Sequence, residues 1–261
     1  VTGELPAVKH TPTEEELIAG GKVMSLFDHL AELRNRIVKS LAGVIVVFGV
    51  AFGFADKLII FLKQPLMDVL PPGMDALHFT GPMDVFVINI KVAALVALVG
   101  GSPIWLYQFW KFFEPALYPR ERKYILPFVF ASVLFFLLGT AFCYFAILPL
   151  TLDFLIKLGM EVGQPMITIK DYVSLLLLLI AGFGIVFETP VLIVLLAMLD
   201  IVTVETLTKY RRLVVVLILI VAAVLTPPDP ISQVALAVPV YIMYELAIIV
   251  IRVIKKRQAP T

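Results

Sequence analysis

The sequence predicts an all-α protein that crosses a lipid bilayer six times, and three observations carry that expectation. First, 61% of the 261 residues are hydrophobic and only 16% are charged, where a soluble domain holds roughly 45–50% apolar and about 25% charged residues. A chain of this size has too little interior to hide that much apolar surface from water. Second, the apolar residues run continuously in six charge-poor windows instead of alternating, which excludes a β-barrel. Third, the basic residues gather in alternate connections.

Taken in order, residues 1–24 are the one soluble-looking stretch. They carry Pro6, Pro12 and the run Glu14, Glu15, Glu16. Without an apolar h-region they read as a mobile tail and not as a secretory signal. Residues 25–37 (SLFDHLAELRNRI) read as an interfacial helix. Ser25 and Asp28 have capping-box spacing, and Leu26, Leu30, Leu33 and Ile37 make one apolar stripe. The first span follows over residues 40–55, with 16 uncharged positions. An outer segment, 56–85, is punctuated by Pro65, Pro71, Pro72, Gly73, Gly81 and Pro82. Within it, residues 57–66 read as a short amphipathic helix lying over the outer mouth.

Span two covers 92–110, and the loop 112–122 (FFEPALYPRER) after it is stiffened by Pro115 and Pro119. Span three covers 124–152. Residues 149–171 then read as a second long outer connection, because Pro149, Gly159, Gly163 and Pro165 break helices. Span four, 172–199, holds Glu188 and Pro190, and the proline should kink the helix at the carbonyl of Val186. Span five is short: residues 213–225 give about 20 Å of helix against a hydrocarbon layer of roughly 30 Å. The turn 226–230 (TPPDP) leads to span six, 230–251, with Glu245 near its end. The membrane domain thus runs over 25–254, followed by a basic tail, 255–261.

The alternate connections fix an orientation. Sixteen basic residues fall on the side of the two termini and five on the other, so the positive-inside rule places both termini in the cytoplasm. The net charge of +1 gives no electrostatic case for nucleic-acid binding. A single cysteine, Cys143, excludes an internal disulfide and a thiolate metal site. The histidines at 10, 29 and 78 are too scattered for a helical ligand pair, so no metal or cofactor is expected.

Three carboxylates are candidates for function. Glu188 lies deep in span four, where an ionisable group costs about 2.5–3.5 kcal/mol, and such residues face a partner or a polar cavity. Glu32 has a simpler reading, an i,i+4 pair with Arg36 contributing about 0.2–0.5 kcal/mol. Glu121, held on the proline-stiffened loop, has one too, pairing with Arg120 or Arg122 at about 0–1 kcal/mol. Glu245 sits where snorkelling is easy and points less strongly to function.

Together, HLAELRNRI before the first span, Pro65-Leu in the outer segment, FFEPALYPRER, FETP in span four and LTPPD before span six resemble the TatC family. That family is the membrane core of the twin-arginine protein translocase of bacterial and archaeal cytoplasmic membranes. The resemblance covers roughly residues 26–254. It implies a cupped six-helix bundle with an outer cap, a receptor for signal peptides bearing paired arginines on folded cargo. It also implies TatB-like and TatA-like single-span partners, self-association in a larger complex, and export driven by the proton-motive force. In the family, glutamates matching Glu32 and Glu121 lie at the recognition face, with Arg34 and Phe112 in the same region. Glu188 matches an intramembrane glutamate, and Pro65, Tyr144 and Asp229 match further motif positions. The expected protein is a translocase subunit and not an enzyme. Two rivals are a proton-coupled small-molecule transporter using Glu188 as a relay and an intramembrane enzyme. The second lacks a histidine in any span.

Overall fold

The computed structural model describes residues 26–71, 78–79, 81–117, 122–163, 167–226 and 230–258. Among them the regular structure is helical, apart from one isolated bridge between His78 and Thr168. The first helix, α1 (Leu26–Gly53), is continuous. The sequence reading separates an interfacial helix from a span, but no proline or glycine interrupts Val38, Lys39 and Ser40 between them. Its 28 residues extend about 42 Å, so its charged first turns project beyond the hydrocarbon layer. Leu30 and Ile37 are exposed, but Leu33 and Ile37 also line a groove against the neighbouring helix, so the expected stripe is only partly covered. The expected cap, Ser25, lies outside the described residues.

The outer helix expected over 57–66 is split into α2 (Ala55–Leu62) and α3 (Gln64–Met67). Pro65 in the first turn of α3 explains the split. It has no N–H, so the Phe61 carbonyl four residues earlier loses its helical donor. The Tyr144 hydroxyl takes that place, donating to the Phe61 carbonyl at 2.7 Å while its ring stacks on Phe61 at 5.1 Å. Tyr172 donates to the next carbonyl, Leu62, at 2.5 Å. Tyr144→Phe should therefore strand one carbonyl at a cost of about 1 kcal/mol. The measurement is faster amide exchange across residues 58–66 with the other helices unaffected; unchanged exchange would show that the tyrosine does not hold the cap.

Two helices, α4 (Asp84–Gly100) and α5 (Ser102–Phe113), meet at a 53° bend. Pro103 opens α5 and donates nothing, and the Trp105 indole N–H reaches back across the bend to the Leu98 carbonyl at 3.1 Å. Next, α6 (Ile125–Phe142) passes through a π turn, Cys143–Ile147, into α7 (Leu148–Val162). This corrects the expectation that 149–171 is an outer loop. The wider i→i+5 turn ahead of Pro149 absorbs its missing donor and its ring, so the helix continues to Val162. The rest is α8 (Ile169–Val186), α9 (Thr189–Met198), α10 (Val204–Lys209), α11 (Arg211–Leu225) and α12 (Pro230–Gln258). The last helix takes in residues 255–258, which the sequence reading gives to the tail.

By length and hydropathy, four stretches can cross a bilayer: His29–Gly53, Arg122–Glu161, Ile169–Met198 and Pro230–Ile254. The bent α4–α5 pair makes a fifth. The sixth expected span is α11, whose 15 residues reach only about 22 Å. Two apolar clusters fill the bundle. One lies toward the α2–α3 cap and includes Leu66, Leu95, Leu176, Phe183 and Phe187. The other surrounds Trp110, Leu117, Ile125, Val191, Met198 and Ile251 at the opposite end. That end also carries Arg36, Lys111, Arg122, Lys123 and Arg211, and is called the basic end below.

Candidate functional site: a buried glutamate and a basic-end groove

Glu188 stands in the break between α8 and α9, between Phe187 of one apolar cluster and Val191 of the other. The FETP sequence makes that break. Pro190 removes the N–H due to the Val186 carbonyl, and the Thr189 hydroxyl replaces it, donating at 2.5 Å. The chain turns at Phe187–Glu188, and Pro190 then sits in the first turn of α9, where proline is tolerated. The expected kink is thus a break with its freed carbonyl satisfied. Glu188 is only 7% exposed. Oε1 of its carboxylate has no hydrogen-bond partner among the described residues. A buried acceptor left in that state costs about 1–3 kcal/mol or more, so this position holds stability in reserve for a donor.

At the basic end, Glu32 does form the pair with Arg36, Nη2 donating to Oε1 at 3.0 Å. Arg36 also donates from Nη1 to Gln108 Oε1 on α5 at 3.2 Å. The pair uses one carboxylate oxygen only; Oε2 of Glu32 is buried without a partner among the described residues. Phe112, at the end of α5, stacks on His29 of α1 at 4.5 Å. Between α1 and α5 lies a groove of about 370 Å³, lined by Leu33, Arg36, Leu41, Trp105, Gln108 and Phe112, among others. Its wall is almost wholly apolar apart from Arg36, Ser40 and Gln108. Arg34 is exposed on α1.

Glu121 and Asp229 lie outside the described residues. The segments flanking Glu121 are nonetheless anchored, because Leu117 before it and Ile125 after it are both buried in the basic-end cluster. Lys111 and Glu114 pair at 2.5 Å ahead of the 3-10 turn Glu114–Ala116. The structure brings Arg36, the ion-pair partner of Glu32, and Phe112 to one groove and leaves Glu188 as a separate, deeper site. Pro65 and Tyr144 belong to the cap at the other end and act there as structural partners.

Several polar contacts escape sequence reading. Glu245 accepts from Arg211 at 2.7 Å and from the Tyr241 hydroxyl at 3.1 Å, which fastens the short α11 to α12. Asp84 is buried at the cap end, accepting from the Gly81 N–H at 2.9 Å and from Lys170 at 3.0 Å. Ser132 and Trp110 are both fully buried, the indole N–H donating to the hydroxyl at 2.7 Å. Only the contrast between a polar atom and an apolar window marks Asp84 and Ser132 in sequence, and that contrast does not name a partner.

Comparison with known proteins accounts for this arrangement. Residues 28–239 match the family described as Sec-independent protein translocase protein (TatC). The TatC protein of Aquifex aeolicus is 36% identical over 227 residues, covering 86% of this chain and 93% of its own length. That of Escherichia coli is 39% identical over 225 residues, covering 85% and 86%. That of Halothiobacillus neapolitanus is 40% identical over 226 residues, which is 86% of this chain and 61% of the longer relative. A crystal structure of the twin-arginine translocase receptor TatC superposes with a TM-score of 0.74 at 35% identity, over 85% of this chain and 98% of the other. The all-α membrane fold expected from sequence is the fold of that solved structure. The motifs, the helical order and these matches agree, and the chain belongs to the TatC family of Sec-independent protein translocase proteins.

Proposed function

We propose that this chain is the signal-peptide receptor and membrane core of a twin-arginine translocase. It lies in a bacterial or archaeal cytoplasmic membrane with both termini in the cytoplasm, so that the basic end faces the cytoplasm. It acts as a transport subunit and not as an enzyme. One observation carries the receptor reading: a buried carboxylate oxygen of Glu32 without a partner among the described residues, on the glutamate paired with Arg36 of the apolar groove. A signal peptide presents a basic segment followed by an apolar stretch of about 7–15 residues. The carboxylates of Glu32 and Glu121 receive the guanidinium pair, and the groove at Phe112 takes the apolar residues that follow. Arg34 lies exposed on the same helix as Glu32, at the recognition face. Residues 1–24 form a tail ahead of the membrane domain over 25–254, and the chain closes with the basic residues of 255–261.

Glu188 then serves partner contact. TatB-like and TatA-like single-span subunits would bring the donor that Oε1 lacks, and several copies of this chain would join in one complex that uses the proton-motive force. The apolar clusters on either side of Glu188 favour such a contact over the continuous proton path that a small-molecule transporter needs.

The test is binding of a synthetic twin-arginine signal peptide and its twin-lysine counterpart to the purified chain in lipid nanodiscs. A charge-assisted hydrogen bond contributes about 1.5–3 kcal/mol, so Glu32→Ala and Glu121→Ala should each weaken arginine-peptide binding by about tenfold or more. The lysine peptide should bind the parent chain about as weakly, since an ammonium forfeits the bidentate geometry. Equal losses for both peptides in each variant would show that these glutamates only neutralise neighbouring arginines, and would sink the receptor reading.

A further inference from the structure

At the cap end, α4 and α8 begin side by side, their first turns joined by the Asp84–Lys170 pair at 3.0 Å. Lys91 lies seven residues further along α4, about 10 Å deeper into the membrane. Its half-buried side chain donates to the Ser174 hydroxyl of α8 at 2.6 Å. Ser174 gives its own proton to the Lys170 carbonyl at 2.6 Å, so it orients the ammonium and leaves two of its three donors unused. No carboxylate pairs with Lys91 among the described residues. A cation at membrane depth with one neutral acceptor is a functional site by default, and its complement is an anion. The nearest turn of α8 supplies the opposite charge. Asp171, three residues above Ser174, is exposed, and its carboxylate accepts from the Thr168 hydroxyl at 2.6 Å. It too pairs with no charged group among the described residues. Below these polar groups the seam between the helices is apolar and uncovered: Ile90 beside Lys91, and Leu178 and Ile185 in line with Asp171, are exposed. Ile185 lies eleven residues past Ser174, about 16 Å along the helix, where one leaflet of hydrocarbon is roughly 15 Å deep.

We propose that the α4–α8 seam binds one phospholipid with a primary-amine headgroup, its phosphate on the Lys91 ammonium and its own ammonium on Asp171. The two protein charges stand in the order that such a headgroup requires. The phosphate is the deeper group and meets the deeper residue, while the amine lies nearer water, level with Asp171. Three residues of helix separate Ser174 from Asp171, about 4.5 Å along the axis, which a two-carbon headgroup can span. The acyl chains lie along Ile90, Leu178 and Ile185. Asp171 sets the headgroup preference: a glycerol headgroup brings it no cation, and a choline brings a cation with no N–H to donate. Basic sites between membrane helices hold lipid headgroups in this manner. In the orientation proposed above, the lipid belongs to the outer leaflet. The site is at the opposite end of the bundle from the groove at Phe112 and does not depend on the receptor reading.

The test is native mass spectrometry of the full chain, stripped of lipid in detergent and titrated with dioleoyl phosphatidylethanolamine, phosphatidylcholine or phosphatidylglycerol. The first ethanolamine lipid should bind about tenfold more tightly than the first of either other lipid, the effect of one charge-assisted hydrogen bond. Lys91→Ala and Lys91→Gln should each weaken the ethanolamine lipid by about tenfold or more, and Lys91→Arg should retain it. Asp171→Asn should bring the ethanolamine lipid down to the level of the choline lipid, whose own affinity stays unchanged. That split separates a built site from the general lipid coat, which responds to neither residue. Equal affinities for the three lipids in the parent would overturn the proposal. So would a preference that survives Asp171→Asn, or ethanolamine-lipid binding that survives both Lys91→Ala and Lys91→Gln. Unchanged lipid binding in the lysine variants, joined to loss of a co-purifying single-span subunit, would assign Lys91 to a partner's carboxylate and overturn the lipid assignment.

Discussion

Glu188→Ala is expected to lower export by about tenfold or more, with Glu188→Gln retaining part of the activity and signal-peptide binding surviving in both. The reason is the hydrogen-bond inventory of the site. The buried carboxylate keeps one oxygen, Oε1, without a partner among the described residues. A hydrogen bond between an incoming donor and a charged group is worth about 1.5–3 kcal/mol, and alanine removes it entirely. Glutamine keeps an acceptor and can still bond a partner, but as a neutral group it recovers only the weaker share of that energy. The measurement is export of a folded reporter at matched expression of the three proteins. Normal export by Glu188→Ala would show that the residue is merely tolerated in the break, and the partner reading of this site would fall. Stability works in the opposite direction: removing an orphaned buried acceptor relieves a cost, so Glu188→Ala should fold at least as well as the parent. A loss of export joined to unchanged or higher thermal stability separates a functional role from a structural one.

Much of the fold is legible in the sequence because bilayer physics is severe. Continuous apolar windows, basic connections and proline-rich turns point to the helices and their order. What escapes is how the prolines are accommodated. Pro149 reads as a stop, but the π turn before it lets the helix run on for about four more turns. Pro65, Pro103 and Pro190 do break helices, and at each break a side chain supplies a nearby carbonyl with a donor: Tyr144 for Phe61, Trp105 for Leu98, and Thr189 for Val186. A proline can be read as a break from its own chemistry, whereas its relief depends on a residue brought near by folding. The site shows the same division. Glu188 is conspicuous because a charge in an apolar window has no cheap explanation. Glu32 is ambiguous in sequence, and the structure resolves the ambiguity by showing the Arg36 pair and an unused oxygen together. Ser132 is marked in sequence only as a polar atom in an apolar window and Trp110 not at all, and the bond between them joins residues 22 positions apart. Position 121 rests on the family resemblance and on the anchored segments either side of it.

The crossing of α6 and α8 is the other place where a single atom should matter. A Cβ built on Gly139 would lie 2.7 Å from Cβ and Cγ of Phe187 and 2.8 Å from the Phe183 carbonyl oxygen. A Cβ on Gly184 would meet the ring of Phe136 from the opposite direction, within 3.0 Å of three of its atoms. Each helix thus offers a glycine to the other's phenylalanine, the small-residue contact by which helices approach closely in a membrane. Carbon atoms need about 3.5–4.0 Å, so any side chain at position 139 must push the helices apart or drive Phe187 aside. Two effects oppose each other in Gly139→Ala. Alanine gains up to about 1 kcal/mol in helix propensity, while overpacking a tight contact costs about 1–3 kcal/mol. Part of the clash is with backbone, which cannot rotate away, so overpacking should win and thermal stability should fall. Gly139→Leu adds three further carbons at the same point and should leave no folded protein in the membrane. Because Phe187 precedes Glu188, the alanine variant should also lose export, while signal-peptide binding at the distant groove persists. Unchanged melting and export in Gly139→Ala would show that the crossing relaxes at no cost. A fall in both, with binding retained, would place the fixed distance between α6 and α8 among the requirements for presenting Glu188.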